Sequence, residues 1–271
     1  GWSPDSQAVS AVSPNGTVRV FSRPENRVAR IIPGSNTLAG AAISPNGRWL
    51  ARALASGYIA ISELNSGDLR ATLREPSPTD LHLVFSPNSR VLAAAGAGQR
   101  IRLFDSESWR ELPPLRGHGG PVIDVAFGAD DKRLVSVGHE NLVRFWHRNE
   151  NALPRYARRA GEDTVLPNPP VFSPNGGRLA LATRLDEFIV WSPNSHTAKW
   201  TNSGRAMAFS PDSASLLSWS PRARELELLD TANGRRLRSL RLEPAPAAYP
   251  SPGMSADGRW LAGEVSEGKF G

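Results

Sequence analysis

Histidines at 82, 118, 139, 147 and 196 hold the readiest acid–base chemistry in this sequence, because imidazole titrates near neutrality without help. To act as metal ligands they would have to cluster with one another or with carboxylates. His139 and His147 stand at no such spacing with an Asp or Glu cluster, so no metal centre is expected. Cysteine is absent, which removes thiolate sites and disulfides and leaves the redox compartment open. The adjacent carboxylates Asp186 and Glu187, in DEFIVW, read most simply as a polar turn. AGAGQ at 95–99 is glycine-rich but has neither the lysine nor the following helix of a phosphate-binding loop. There is no Gly-x-Ser-x-Gly nucleophile elbow. Asn15-Gly16-Thr17 matches a glycosylation acceptor but reads as a turn. The residues therefore predict no catalytic group, no cofactor and no metal.

Charge gives one further lead. The net charge is +6 and almost every cation is Arg, with Lys only at 132, 199 and 269. Arg pairs with phosphate in a bidentate way, so nucleic acid is the functional reading. The arginines are spread along the chain instead of gathered in one block, which argues against nucleic acid and for a compositional habit. No apolar run approaches the roughly 18–20 residues of a membrane-spanning helix. GWSPDSQAVS contains no charged leader before an apolar stretch, so no signal peptide is visible and a cytoplasmic location is expected. The sequence does not open on Met, so residue 1 is not taken as the natural start.

The elements that must position these side chains announce themselves by repetition. A five-residue phrase occurs as WSPDS (2–6), ISPNG (43–47), FSPNS (85–89), FGADD (127–131), FSPNG (172–176), FSPDS (209–213) and MSADG (254–258). Its second residue falls at 3, 44, 86, 128, 173, 210 and 255, in steps of 41, 42, 42, 45, 37 and 45. Copies at 12–16 and 191–195 are out of phase. Each in-phase copy follows a short apolar strand such as LHLVF or VIDVAF. After it come a strand of small apolar residues, an alternating strand and a more polar one. Four short strands every forty-odd residues, with no helical periodicity between them, is the pattern of a propeller blade.

The phrase has a mechanical reading. Pro presets φ for the first central position of a tight turn, Asn or Asp suits the next, and Gly leaves it with positive φ. Such a turn joins the first strand of a blade to the second, and the out-of-phase copies are turns as well. The second strand, with Ala93, Ala94, Ala95, Gly96 and Ala97, suits burial on both faces between close-packed sheets. The third alternates Ile101 and Leu103 against Arg100 and Arg102, as a strand with one wetter face should.

The best-preserved unit, LRGHGGPVIDVAFGADDKRLVSVGHENLVRFWHRN at 115–149, resembles the WD-repeat β-propeller family in its degenerate bacterial form. That repeat has a Gly-His pair, an apolar strand, the turn phrase, two more strands and a closing Trp-Asp. The resemblance implies a structural hydrogen-bond network on His118, Ser136, Glu140 and Trp146, with Glu140 in place of the usual Asp and His147 in place of the Asp of Trp-Asp. Elsewhere the closing pair reads Phe21-Ser22, Ser62-Glu63, Phe104-Asp105, Trp191-Ser192 and Leu229-Asp230, and none of these units keeps the Gly-His pair. Periodic turns of this kind also occur in other propeller families, but the Gly-His unit and the spacing favour the WD type.

The expected fold is all-β, a β-propeller of four-stranded antiparallel blades, forming one domain of a longer chain. Blades are expected at 1–34, 35–76, 77–117, 118–162, 163–203, 204–244 and 245–271. That makes seven, the first without its inner strand and the last with two strands only. A six-bladed ring closed by the last inner strand is the second geometry.

The function expected from the resemblance is a non-catalytic protein–protein interaction scaffold, a sensor or interaction module of a larger signalling protein. Its binding surface is expected on turns between second and third strands, which present Tyr58, Arg100, His139, Arg184 and Arg222. The alternative is an enzymatic or periplasmic propeller that holds a small molecule or peptide in its central channel. That would call for convergent carboxylates and histidines on inner strands, where only Asp124 and His82 are candidates.

Overall fold

The computed structural model describes residues 7–13, 17–34, 37–54, 56–74, 81–128, 131–140, 142–147, 154–159, 171–175, 177–182, 187–192, 197–241, 253–255, 257–262, 264–265 and 269–270. All regular structure among them is β. The chain falls into two compact units, Gly1–Ala160 and Gly161–Gly271.

The first unit carries four antiparallel meanders. β1 (Ala8–Val12), β2 (Val18–Ser22) and β3 (Arg27–Ile32) form a three-stranded sheet among the described residues. β4 (Thr37–Ile43), β5 (Trp49–Leu54), β6 (Tyr58–Glu63) and β7 (Leu69–Arg74) make the second blade. β8 (His82–Phe85), β9 (Val91–Ala95), β10 (Arg100–Asp105) and β11 (Glu111–Arg116) make the third. β12 (Val122–Phe127), β13 (Arg133–Gly138), β14 (Leu142–His147) and β15 (Pro154–Arg159) make the fourth.

The second unit carries two more. β16 (Val171–Phe172), β17 (Leu179–Ala182), β18 (Glu187–Ser192) and β19 (Thr197–Ser203) form the fifth blade. β20 (Arg205–Phe209), β21 (Ser215–Ser220), β22 (Glu225–Asp230) and β23 (Arg236–Arg241) form the sixth. Two ladders of two-residue strands follow: β24 (Gly253–Met254) with β25 (Leu261–Ala262), and β26 (Glu264–Val265) with β27 (Lys269–Phe270). The fold is thus an all-β propeller with four-stranded antiparallel blades. The expected count of seven is corrected to six among the described residues. Two-residue strands make too few ladder bonds to build a blade, and Trp260 and Leu261 beside them stay 46% and 38% exposed.

The core lies between blades. Trp49, Ile59 and Ile61 of the second pack against Leu81, Phe85, Leu92 and Phe104 of the third. Val91, Ile101 and Leu103 of the third pack against Val122, Val125, Leu134 and Trp146 of the fourth. Phe188 and Val190 meet Phe209, Leu216 and Leu229 in the same way. Where a sheet is covered on both faces its second strand is buried, as every residue of β9 is.

The repeated phrase is a closed turn, and more of it is used than Pro and Gly. In ISPNG the Gly47 N–H donates to the Ser44 carbonyl at 2.8 Å, and Gly47 has φ 69°. The Ser44 hydroxyl donates to Asn46 Oδ1 at 2.7 Å and accepts from the Trp49 N–H at 2.8 Å. Asn46 Oδ1 also accepts from the Arg48 N–H at 3.0 Å. The same bonds recur around Ser86 and Asn88, and around Ser210 and Asp212. Successive phrases are also tied together. The Asn46 N–H donates to Ser89 Oγ (2.9 Å), the Asn88 N–H to Asp131 Oδ1 (2.8 Å) and the Asn175 N–H to Ser213 Oγ (3.0 Å). Ser89, Asp131 and Ser213 occupy the positive-φ position, at 62°, 57° and 62°. A side chain there costs backbone strain but supplies the acceptor that clasps the preceding turn.

Candidate functional site

His118, Ser136, Glu140 and Trp146 come together in the fourth blade. Ser136 lies mid-strand in β13 and Trp146 near the end of β14, while His118 precedes β12 and Glu140 stands in the turn after β13. Trp146 Nε1–H donates to Ser136 Oγ at 2.7 Å. Ser136 Oγ is 2.6 Å from His118 Nε2, and His118 Nδ1 is 2.6 Å from Glu140 Oε1. One proton arrangement satisfies all three contacts. Since Ser136 Oγ accepts from Trp146, its own hydrogen goes to His118 Nε2, and a neutral imidazole donates Nδ1–H to the carboxylate. Burial pulls the His118 imidazole below its usual value, against the Glu140 bond and charge that favour the cation. For Glu140, burial alone would push the carboxyl up. The N–H groups of Glu140 and Gly119 and the hydrogen bond from His118 outweigh it and hold the carboxyl low.

A serine, a histidine and a carboxylate in this order form the relay of a hydrolase. Here Ser136 is 0% exposed and its oxygen is already engaged by Trp146, so no substrate carbonyl can reach it. The relay cross-links the Gly-His loop to β13 and β14 and leaves no reacting atom at the surface. Gly138 makes room for it, since a Cβ there would meet the Glu140 carboxylate and His118 Nδ1.

The corresponding position of other blades lies two residues after a fully buried leucine: Leu50, Leu92, Leu134 and Leu216. It is Ser136 opposite Arg144 in the fourth blade and Ser218 opposite Glu227 in the sixth. In the second it is Arg52 opposite Ala60, and in the third Ala94 opposite Arg102. Arg102 corrects the expectation of a wet face on β10. It is buried, with Nε and Nη2 on the Glu111 carboxylate at 2.9 and 2.6 Å, and Nη1 on the Arg74 carbonyl that closes the second blade. Its guanidinium also lies over Phe104, 4.8 Å from the ring centroid. The hydrogen bond from Arg102 is the largest reason that the Glu111 carboxyl is held low. Arg52 Nη1 likewise donates to the Pro33 carbonyl at 3.0 Å. The hint in the sequence was an Arg replacing an apolar residue opposite an alanine; the partner carbonyls were not legible there.

The turn residues are placed separately. Tyr58 opens β6 and is 44% exposed; Arg100 opens β10 opposite Arg116 and is half-buried. His139 is exposed after β13, its N–H bonded to the Pro121 carbonyl at 2.9 Å. Arg222, in the second unit, is exposed between β21 and β22. Arg184 lies outside the described residues. On inner strands β8 and β12, which lie side by side, His82 Nδ1 comes 3.6 Å from Asp124 Oδ1. Asp124 is buried, its Oδ2 has no hydrogen-bond partner among the described residues, and burial pushes its carboxyl up to about 7 despite the Val125 N–H. No cluster of three or more metal-binding side chains occurs among the described residues. No helix among them is long and apolar enough to cross a membrane.

The family described as WD domain, G-beta repeat matches residues 109–147, the segment that holds all four members of the relay. The fourth blade thus matches a WD repeat, and the chain is similar to WD-repeat β-propeller proteins. Related chains extend the likeness beyond that blade. A WD repeat-containing protein of Synechocystis is 32% identical over 172 residues, which cover 63% of this propeller chain and 48% of that protein. The periodic tryptophan protein 2 homolog of Mus musculus is 26% identical over 136 residues, or 49% of this chain and 14% of that one. The intraflagellar transport protein 122 homolog of Xenopus tropicalis is 28% identical over 138 residues, or 46% and 11%. The chain therefore matches less than half of each relative's length.

Proposed function

We propose that this WD-repeat propeller is a non-catalytic protein-interaction scaffold, acting as the sensor or interaction module of a larger signalling protein. The observation that carries the reading is the buried relay: the groups best suited to chemistry are spent on holding a Gly-His loop to its blade. A rigid blade that fixes its turns is a platform for recognition. Tyr58, Arg100, His139, Arg184 and Arg222 are the proposed contact residues, since Tyr and Arg make good interface anchors. The matched segment is a minor part of the mouse and frog relatives, which is consistent with a module serving a longer chain.

The test is affinity capture from the source cell with the full chain as bait, compared with a Tyr58→Ser/Arg100→Glu variant. Partners that bind the native chain and are lost from the variant support the reading. Identical capture by both removes this face from consideration. The second reading, a small-molecule site among inner strands, rests on His82 and Asp124. Saturable binding of a small ligand that is lost in Asp124→Asn would favour it.

A further inference from the structure

In the linear sequence the arginine excess reads as composition, but in the fold arginines recur on outer strands. β23 reads RLRSLR, contains no acidic residue, and exposes all six of its side chains. Among the described residues it is the edge of its sheet, pairing with β22 on one side only. Arg236 is drawn toward Glu225 and Glu227 at 3.8 and 3.3 Å, whereas Arg238 lies opposite Leu228. Leu237 and Leu240 are 44% and 56% exposed between these charges. The combination is repeated at the edges of the first and second blades. There β3 exposes Val28 between Arg27 and Arg30 and Ile31 beside Arg30, and β7 exposes Leu69 beside Arg70.

We propose that the β23 edge binds an acidic, extended peptide segment by strand addition, lengthening the sixth blade to five strands. The proposal rests on the scaffold reading but uses a different surface from its turns. An edge strand presents backbone N–H and C=O groups that only another peptide can pair with in a ladder. A second copy of RLRSLR would set Arg against Arg, and like charges opposed across a ladder repel. The charges that stop self-pairing therefore select an acidic strand. Carboxylates are called for opposite Arg241, Arg238 and Arg236, and apolar side chains opposite Leu240 and Leu237. In antiparallel order this is Glu-Val-Thr-Glu-Val-Glu. Nucleic acid offers charge but no ladder, which makes a peptide the better complement.

The experiment is fluorescence anisotropy with that labelled hexapeptide and the full chain. The comparisons are the same peptide N-methylated at alternate residues and a single-stranded DNA oligonucleotide. Saturable binding is expected, weakened about tenfold or more in Arg238→Glu/Arg241→Glu, and lost on N-methylation. Both substitutions are at exposed positions, and an unchanged thermal unfolding curve shows that the fold is kept. Equal binding of the N-methylated peptide, tighter binding of the oligonucleotide, no binding, or indifference to the charge reversal each overturns the proposal. Should the hexapeptide instead respond only to Tyr58→Ser/Arg100→Glu, the edge proposal fails and the scaffold reading stands.

Discussion

Asp124 makes the stability of this protein depend on pH in a direction opposite to that of most carboxylates. Its side chain is 8% exposed on β12, and burial raises its carboxyl from 3.8 to about 7. A raised value means that the folded state holds the proton more tightly than the unfolded chain does. The native state therefore loses stability as pH climbs from the unfolded value toward the folded one. A separation of about three units corresponds to about 4 kcal/mol in all, of which about 2.5 kcal/mol falls between about pH 5 and about pH 8. Asp124→Asn removes the titration while keeping an acceptor for the Val125 N–H, now met at 2.6 Å. Urea unfolding at several pH values, for the native chain and the variant, should give two curves that diverge as pH rises, with the native chain losing ground. Parallel curves would show that the carboxyl is not buried in this way, and would remove the basis for placing β8 against β12 over it.

Other expectations follow from the relay and the blade contacts. Trp146→Ala should destabilise by about 3–5 kcal/mol, because the side chain is 2% exposed and packed between two blades. In denaturant unfolding, a near-neutral result would mean that the closing Trp is misplaced. Gly138→Ala should destabilise despite its small size, with an altered His118 imidazole resonance in NMR, since the new methyl takes space held by Glu140 and His118. Arg102→Met should cost about 1.5–3 kcal/mol through its charged hydrogen bonds, more than Glu111→Gln, because Glu111 is 39% exposed and Arg102 is not. A double-mutant cycle between the two should show coupling; strict additivity would refute the ion pair.

Some of this structure was legible in the linear chain. Strand order and the small residues of β9 follow from patterns that repeat every two residues or close within a five-residue turn. The grouping of His118, Ser136, Glu140 and Trp146 followed from the resemblance. Legibility ended where a partner lies in another blade. Arg102 looked like the wet side of an alternating strand, yet its burial depends on Glu111 nine residues on and on a carbonyl of the preceding blade. Pro and Gly marked the recurring phrase as a turn, but the hydroxyl of Ser89 clasps Asn46 across 43 residues. The blade count was also misjudged, because phrases count turns, and only pairing decides whether strands become a sheet. Sequence by itself determined the local currency of this protein: which segments extend, where they turn, and which strand faces are apolar. Tertiary structure decided which charges are buried, which carboxyl is protonated near neutrality, and which strand edge is left facing water, since burial and electrostatics depend on neighbours that only folding brings within a few ångströms.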